Sequence, residues 1–272
     1  LACLPREGEK TPKKLALRPV IALSIMFFAF ISALSAEHLM TFALLFIVGL
    51  VGAFLFVQFN RKESLIDLGI LKNHRFVALI FSLLVYQALL LGLSFVLPSF
   101  IQVSAGFSSS VAGLFMFPGA LIGAVLAPIS GKVLDQIGAR KPITTGLILA
   151  ALGLALLFVF LPTKSLALLL GAHIVLMLGL GISYSNLMTC SLSTLATDQL
   201  SDGNALVNTL QQFIGAVATA VVATTLSIFQ GLNGFKVGTS HGTSIILALF
   251  FILIIVSLIV SFPNLKKIRA NH

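Results

Sequence analysis

Eleven residues, Gly131-Lys-Val-Leu-Asp-Gln-Ile-Gly-Ala-Arg-Lys141, place one carboxylate and three cations between two long apolar stretches. The other polar side chains that could do chemistry are neutral. Gln87 lies about 16 Å along an apolar run, near the centre of a bilayer crossing. Asn204, Asn208, Gln211 and Gln212 recur at i, i+4, i+7 and i+8, which is one stripe of a helix. Gly215 and Thr219 prolong that stripe, and the Thr219 hydroxyl could bond across helices. Ser201 or Asp202 could cap the helix start. His173 is the only histidine placed well inside an apolar run, and Ser183-Tyr184-Ser185-Asn186 reads as a polar break in another. Such residues exchange hydrogen bonds with a guest or with neighbouring helices. They do not form a Ser/His/Asp or Cys/His grouping, a phosphate loop or a metal-ligand cluster, so enzymatic, cofactor and metal chemistry are not expected.

Each of these residues has a plainer role. Gln87 lines a cavity or bonds another helix, since an amide at that depth needs a partner or water. The stripe of the seventh helix, with Asn208, Gln211 and Gln212, faces a polar groove or acts as packing glue. The favoured reading of His173 is a neutral ring satisfied by a backbone carbonyl or a neighbour; the alternative is a group that titrates or touches substrate. Tyr184 and Asn186 are substrate contacts or local helix polarity. Gly119 and Gly123, bracketed by Pro118 and Pro128, point to close packing and a kink.

The elements that must position these residues follow from composition. Of 272 residues, 58% are hydrophobic and 9% charged, against about 25% charged in soluble domains. Mean hydropathy is +1.11. The apolar runs are long and unbroken, which excludes a barrel and predicts membrane-spanning helices. Eight are expected, near 17–34, 39–59, 76–98, 110–130, 143–161, 166–189, 205–229 and 244–262, so the fold class is all-α membrane protein.

The net charge of +9 is spread between the spans, which excludes a nucleic-acid surface. Of the 17 Lys and Arg residues, all but Lys164 and Lys236 fall in alternate connections or the two tails. That bias puts both termini in the cytoplasm, with an even number of crossings. Every acidic residue falls in a connection or at a helix end, so no carboxylate stands mid-membrane as a proton relay. Cys3 and Cys190 are far apart and read as free thiols. The chain starts with Leu1, its first methionine is Met26, and no signal-peptide pattern opens it; it reads as a piece of a longer protein. Residues 61–75 mix charge with Leu65, Ile66, Leu68, Ile70 and Leu71. They lie flat on the cytoplasmic face or form an ordinary linker. This divides the chain into 1–60, a basic tail with two linking helices; 61–75, the linker; and 76–272, a six-helix bundle.

The spacing Gly131, Asp135, Gly138, Arg140, Lys141 resembles the G-x-x-x-D-x-x-G-x-R-[RK] loop of the major facilitator superfamily. It departs at Gln136 and at Ala139, where an arginine is common. The preceding segment, Pro118 through Pro128 and Gly131, is similar to the P-x9-P-x2-G helix that leads into that loop. Ser64–Phe76 resembles the linker of the fourteen-span drug:proton antiporters of EmrB/QacA type, and Asn208–Gln212 with Gly215-Ala216 resembles their penultimate helix. The resemblance implies the C-terminal part of such an antiporter, in a bacterial plasma membrane, with the first six helices absent from this chain. It implies lipophilic or cationic small-molecule substrates, protons as the coupled ion and a missing N-terminal half as partner. It also implies that Asp135 latches onto a helix end or basic residue while Arg140 and Lys141 anchor the loop. An exporter of one endogenous metabolite and a non-transporting fragment remain the alternatives.

Overall fold

The computed structural model describes residues 16–36, 38–62 and 65–265. The tails bearing Cys3, Arg6, Glu7, Glu9, Lys10, Lys13, Lys14, Lys266, Lys267 and Arg269, together with Glu37 and Glu63, lie outside the described residues. Eight described helices are long and apolar enough to cross a membrane. They are α1 (Leu17–Leu34), α2 (Leu39–Lys62), α3 (His74–Ser99), α4 (Ser109–Ile137), α5 (Arg140–Phe160), α6 (Leu166–Leu192), α7 (Leu200–Asn233) and α8 (Phe235–Asn264). Helices are what such sequences must form, because hydrocarbon offers no partner for an open backbone N–H or C=O. This is an integral membrane protein of all-α fold.

The chain forms two compact units, one up to Ile66 and one from Asp67. In the first, α1 packs on α2 where Gly52 leaves room: a Cβ there would fall 2.9 Å from the Met26 backbone nitrogen. Asn60, buried at the end of α2, accepts from the N–H groups of Leu65 and Ile66 and donates to the Ile66 carbonyl at 2.8 Å. One amide side chain thereby satisfies backbone groups of the connection that follows the helix.

In the second unit α3 is the most deeply covered helix. It carries many of the largest buried side chains, among them Phe76, Leu79, Leu83, Tyr86, Leu89, Leu93 and Leu97. It is fastened to α8 by Ser82, whose Oγ lies 2.5 Å from Ser261 Oγ and 3.2 Å from the Ser257 carbonyl. The most extensive packing is α5 on α6, a seam of small residues. A Cβ on Gly153 would meet the Leu176 nitrogen at 2.5 Å, and one on Gly179 would meet the Ala150 nitrogen at 2.5 Å. Close backbone approach replaces the hydrophobic drive that lipid removes.

Several expected boundaries move. The segment 131–141 is mostly helical: α4 continues through Ile137 and α5 begins at Arg140. The turn is Gly138-Ala139, with Gly138 at φ 77°, a conformation that favours glycine. Hydropathy marks where hydrocarbon ends, whereas a helix can run on into the polar zone with Lys132 and Asp135 carried on it. For the same reason α7 and α8 are separated by Gly234 alone, and Lys236 sits in the first turn of α8. The polar run 183–186 is no break, because α6 is continuous. Ser183 and Asn186 donate to the carbonyls of Gly179 and Ile182 on their own helix, so their polarity is absorbed without interrupting the backbone. Neither Ser201 nor Asp202 caps α7, which starts at Leu200; Asp202 instead accepts from the Asp67 N–H at 3.2 Å. In the 61–75 connection, Leu68–Lys72 is a short 3-10 helix in which Ile70 is buried and Leu71 exposed. Of the G-x-x-x-G pair, only Gly119 is in close contact; nothing lies within 4 Å of a Cβ on Gly123.

Candidate functional site

Three helices converge on one hydrogen-bonded chain. Gln211 on α7 donates through Nε2 to the Tyr184 hydroxyl on α6 at 2.6 Å, and that hydroxyl donates to Gln87 Oε1 on α3 at 2.6 Å. All three side chains are half-buried. Gly215, one turn beyond Gln211, lies beside the same contact: a Cβ there would overlap the end of the Leu91 side chain and come 3.5 Å from Gln87 Nε2.

Beside this chain lies a second phenol. Tyr86 is fully buried, and its ring centroid is 6.5 Å from that of Tyr184. Ser183 Oγ is 2.7 Å from the Tyr86 hydroxyl and 2.7 Å from the Gly179 carbonyl. A serine has one proton to give. With Ser183 donating to the carbonyl, Tyr86 donates to Ser183. Neither spacing nor depth picks Tyr86 out of the sequence. The available signal is that the chain has two tyrosines only, one of them next to Gln87.

The other expected site residues divide. Asn208 is exposed and donates to the carbonyl and side-chain oxygen of Asn204, at 2.9 and 3.1 Å; Gln212 is exposed. The α7 stripe therefore splits, with only Gln211 joining the cluster. Thr219 donates to the Gly215 carbonyl on its own helix, not across to another. Asn186 is buried and donates to the Ser130 carbonyl at 3.2 Å, tying α6 to α4. His173 is wholly buried in the α4–α6 seam, stacked on Phe115 with centroids 5.4 Å apart. The expected carbonyl partner is not there: neither ring nitrogen has a hydrogen bond.

Near the end of α4, Gly131 has open space beside it. Asp135 is exposed and has no hydrogen bond or ion pair with any described residue. Arg140 does not pair with it; its guanidinium carbon lies 4.4 Å from the ring centroid of Phe262 on α8. Lys141 is exposed. At the other end of the bundle, Lys164 donates to the Ser104 carbonyl at 3.1 Å. That bond gives one of the two cations outside the charge bias a local task, since a cation suits a helix C-terminal end.

The cluster's chemistry is neutral. Two amides and two phenols can give and take hydrogen bonds inside the bundle, and their ring faces attract cations. No group of three His, Cys, Asp or Glu side chains that could hold a metal occurs among the described residues. α4 and α7 are the least covered helices of this unit.

Comparison with known proteins fits this geometry. The chain is 30% identical over 179 residues to the lincomycin resistance protein LmrB of Listeria innocua, covering 66% of this chain and 38% of that protein. It is 24% identical over 190 residues to the multidrug efflux pump LfrA of Mycolicibacterium smegmatis, covering 69% of this chain and 38% of the pump. It is 30% identical over 185 residues to the multidrug resistance protein B homolog of Mycobacterium tuberculosis, covering 66% and 34%. The chain thus spans well under half the length of these relatives. The profile of the Major Facilitator Superfamily matches residues 58–220, more than half of the chain and all of α3 to α6. By that match, and with eight apolar helices long enough to cross a membrane, the chain belongs to the Major Facilitator Superfamily.

Proposed function

We propose that this chain is the C-terminal portion of a proton-coupled multidrug exporter of the fourteen-span EmrB/QacA type. The observation that carries the reading is the Gln87–Tyr184–Gln211 chain, which brings three helices to one neutral site. Relatives named for lincomycin and multidrug resistance support it. A site built from amides and phenols suits guests of varied structure, because it offers both donors and acceptors and a cation-attracting ring without demanding one charge pattern. The domain division is α1 and α2 as linking helices, 61–75 as the cytoplasmic linker and 76–272 as one half of the transporter. The uncovered faces of α4 and α7 would receive the N-terminal six-helix half, and transport would proceed by alternating access between the halves. Asp135, with Arg140 and Lys141, would latch the two halves on the cytoplasmic side of a bacterial plasma membrane, with both termini inside.

The test is efflux by the full-length gene product in an efflux-deficient host. Proton-gradient-dependent extrusion of lincomycin and lipophilic cationic dyes is expected, with chemically unrelated substrates competing. Normal membrane expression without extrusion of any compound in a broad panel would reject drug export. Extrusion of a single metabolite without competition would reject the multidrug reading.

A further inference from the structure

His173 has no part in the polar cluster. It stands seven residues into α6, about 10 Å from the end that follows Lys164. It is 0% exposed, and both ring nitrogens lack a hydrogen-bond partner. A neutral imidazole has one donor and one acceptor, so two buried polar atoms are left without a protein partner. Unpaired buried polar groups are rare enough in native proteins to call for an explanation. The surroundings are apolar or small: Phe115 stacks on the ring, and Gly119 on α4 presents its bare Cα. A Cβ there would fall 2.6 Å from His173 Nε2 and 2.8 Å from Met177 Cγ.

No charged group compensates. On α4, the charged side chains are Lys132 and Asp135, near the far end of the helix. On α5 they are Arg140 and Lys141, in its first turn. On α3 they are His74 and Arg75 in the first turn; the titratable Tyr86 is engaged by Ser183, ten residues along α6 from His173. On α6 itself Tyr184 and Cys190 are farther still. Asp202 lies in the first turn of α7, which barely touches α6. Lys164, in the turn before α6, is committed to the Ser104 carbonyl.

The opposing helix has two gaps in its backbone hydrogen bonding. Pro118 and Pro128 lie inside α4, and each removes a backbone hydrogen bond, to the carbonyls of Leu114 and Ala124. The α4–α6 seam is closed over His173 at Gly119 and held at its other end by the Asn186 bond to Ser130.

We propose that His173 is a proton-accepting coupling residue, and that its protonation lifts the N-terminal half of α4 off α6. The inference rests on the proton-coupled export proposed above. In the closed seam the imidazole is neutral. A proton from water at the Lys164 end is taken onto the free ring nitrogen, and the resulting imidazolium has two N–H donors and no acceptor. The seam opens so that both reach water. Reseating α4 requires the proton to leave, which regenerates the neutral ring. Its release on the opposite side needs the Asn186–Ser130 end of the seam to part in the inward-facing half of the cycle, and one proton moves per cycle. By the charge bias of the sequence, the Lys164 end is the outer one, so the proton moves inward.

Two measurements on the full-length protein test this. In proteoliposomes, His173→Gln keeps a hydrogen-bonding side chain and cannot take a proton. It should lose proton-driven substrate accumulation while retaining substrate exchange without a gradient. Accumulation at wild-type level with an unchanged pH profile would overturn the proposal, as would loss of accumulation and exchange together. Independently, Met177 is 7% exposed beside Gly119. With His173 intact and no other cysteine present, labelling of Met177→Cys by a membrane-permeant maleimide is divided at each pH by that of an exposed reference cysteine in a separate variant, which cancels the loss of reactive thiolate in acid. The ratio should rise several-fold from about pH 8 to about pH 5.5, the range across which histidine changes charge. A ratio that does not depend on pH would overturn it, whether or not His173→Gln folds. Absence of any wild-type transport would reject the export reading, while the labelling result still decides whether the seam responds to protons.

Discussion

The hydroxyl of Tyr184 lies 2.6 Å from Gln87 Oε1 and, among the described residues, is the only hydrogen-bonded link between that amide and Gln211. Tyr184→Phe removes one oxygen and leaves two amides unpaired. Tyr86→Phe also removes one oxygen, but Ser183 keeps its bond to the Gly179 carbonyl. The first change should therefore cost more. Losing a partner for a buried polar group costs about 1–3 kcal/mol, and an ordinary hydrogen bond contributes about 0.5–1.5 kcal/mol. The half-buried amides belong near the lower end of the first range. Thermal unfolding in detergent should rank wild type above Tyr86→Phe above Tyr184→Phe, and drug efflux should fall further in Tyr184→Phe. Equal efflux in the two variants would remove this cluster from substrate handling.

Asp135 is exposed and has no partner among the described residues. Asp135→Asn should leave thermal stability unchanged within about 0.5 kcal/mol, as for surface changes away from any special feature. If the carboxylate latches onto the N-terminal half, efflux should nevertheless fall, with membrane insertion intact. Unchanged transport kinetics would dismiss the latch.

Arg140 rests on Phe262, which joins the start of α5 to the end of α8. A cation over an aromatic ring at an exposed site contributes about 0.5–1 kcal/mol. A double-mutant cycle with Arg140→Ala and Phe262→Leu should return a coupling of that size. Arg140→Lys should retain part of it, because the charge remains while the planar stacking is lost. A coupling of zero would mean that the contact stabilises nothing.

What can be read from the sequence follows hydropathy and period. The eight spans are legible because twenty apolar residues in a row have few other uses. Gln87, Tyr184 and Gln211 are legible because an amide or a phenol in an apolar run stands out. Their meeting is not, since they are 97 and 27 residues apart and only packing brings them together. The helical extension through Asp135 is hidden because composition marks the edge of the hydrocarbon and not the end of the helix. The unpaired nitrogens of His173 are unreadable for a related reason. Sequence rules assume that a buried polar group finds a partner, and the exception appears only when the neighbouring atoms are known.

Glycine gives the most misleading signal. Gly119 and Gly123 form a recognisable pair, yet a Cβ added at Gly123 would have nothing within 4 Å, whereas Gly153 and Gly179, in no such pair, would each set a Cβ 2.5 Å from backbone atoms. In the α5–α6 seam the obstructing atoms are the nitrogens of Leu176 and Ala150, which cannot rotate aside as a side-chain end can. Gly153→Ala and Gly179→Ala must therefore push two helices apart, a kind of overpacking that typically costs about 1–3 kcal/mol. Gly123→Ala and Gly171→Ala meet nothing and should gain roughly 0.5–1 kcal/mol from the better helix propensity of alanine. Thermal unfolding of the four variants should separate them into two destabilised and two neutral or stabilised proteins. If Gly179→Ala unfolds with the wild type, the seam is looser than its backbone distances imply. The placement of Tyr184, five residues further along the same helix, would then lose its rigid support.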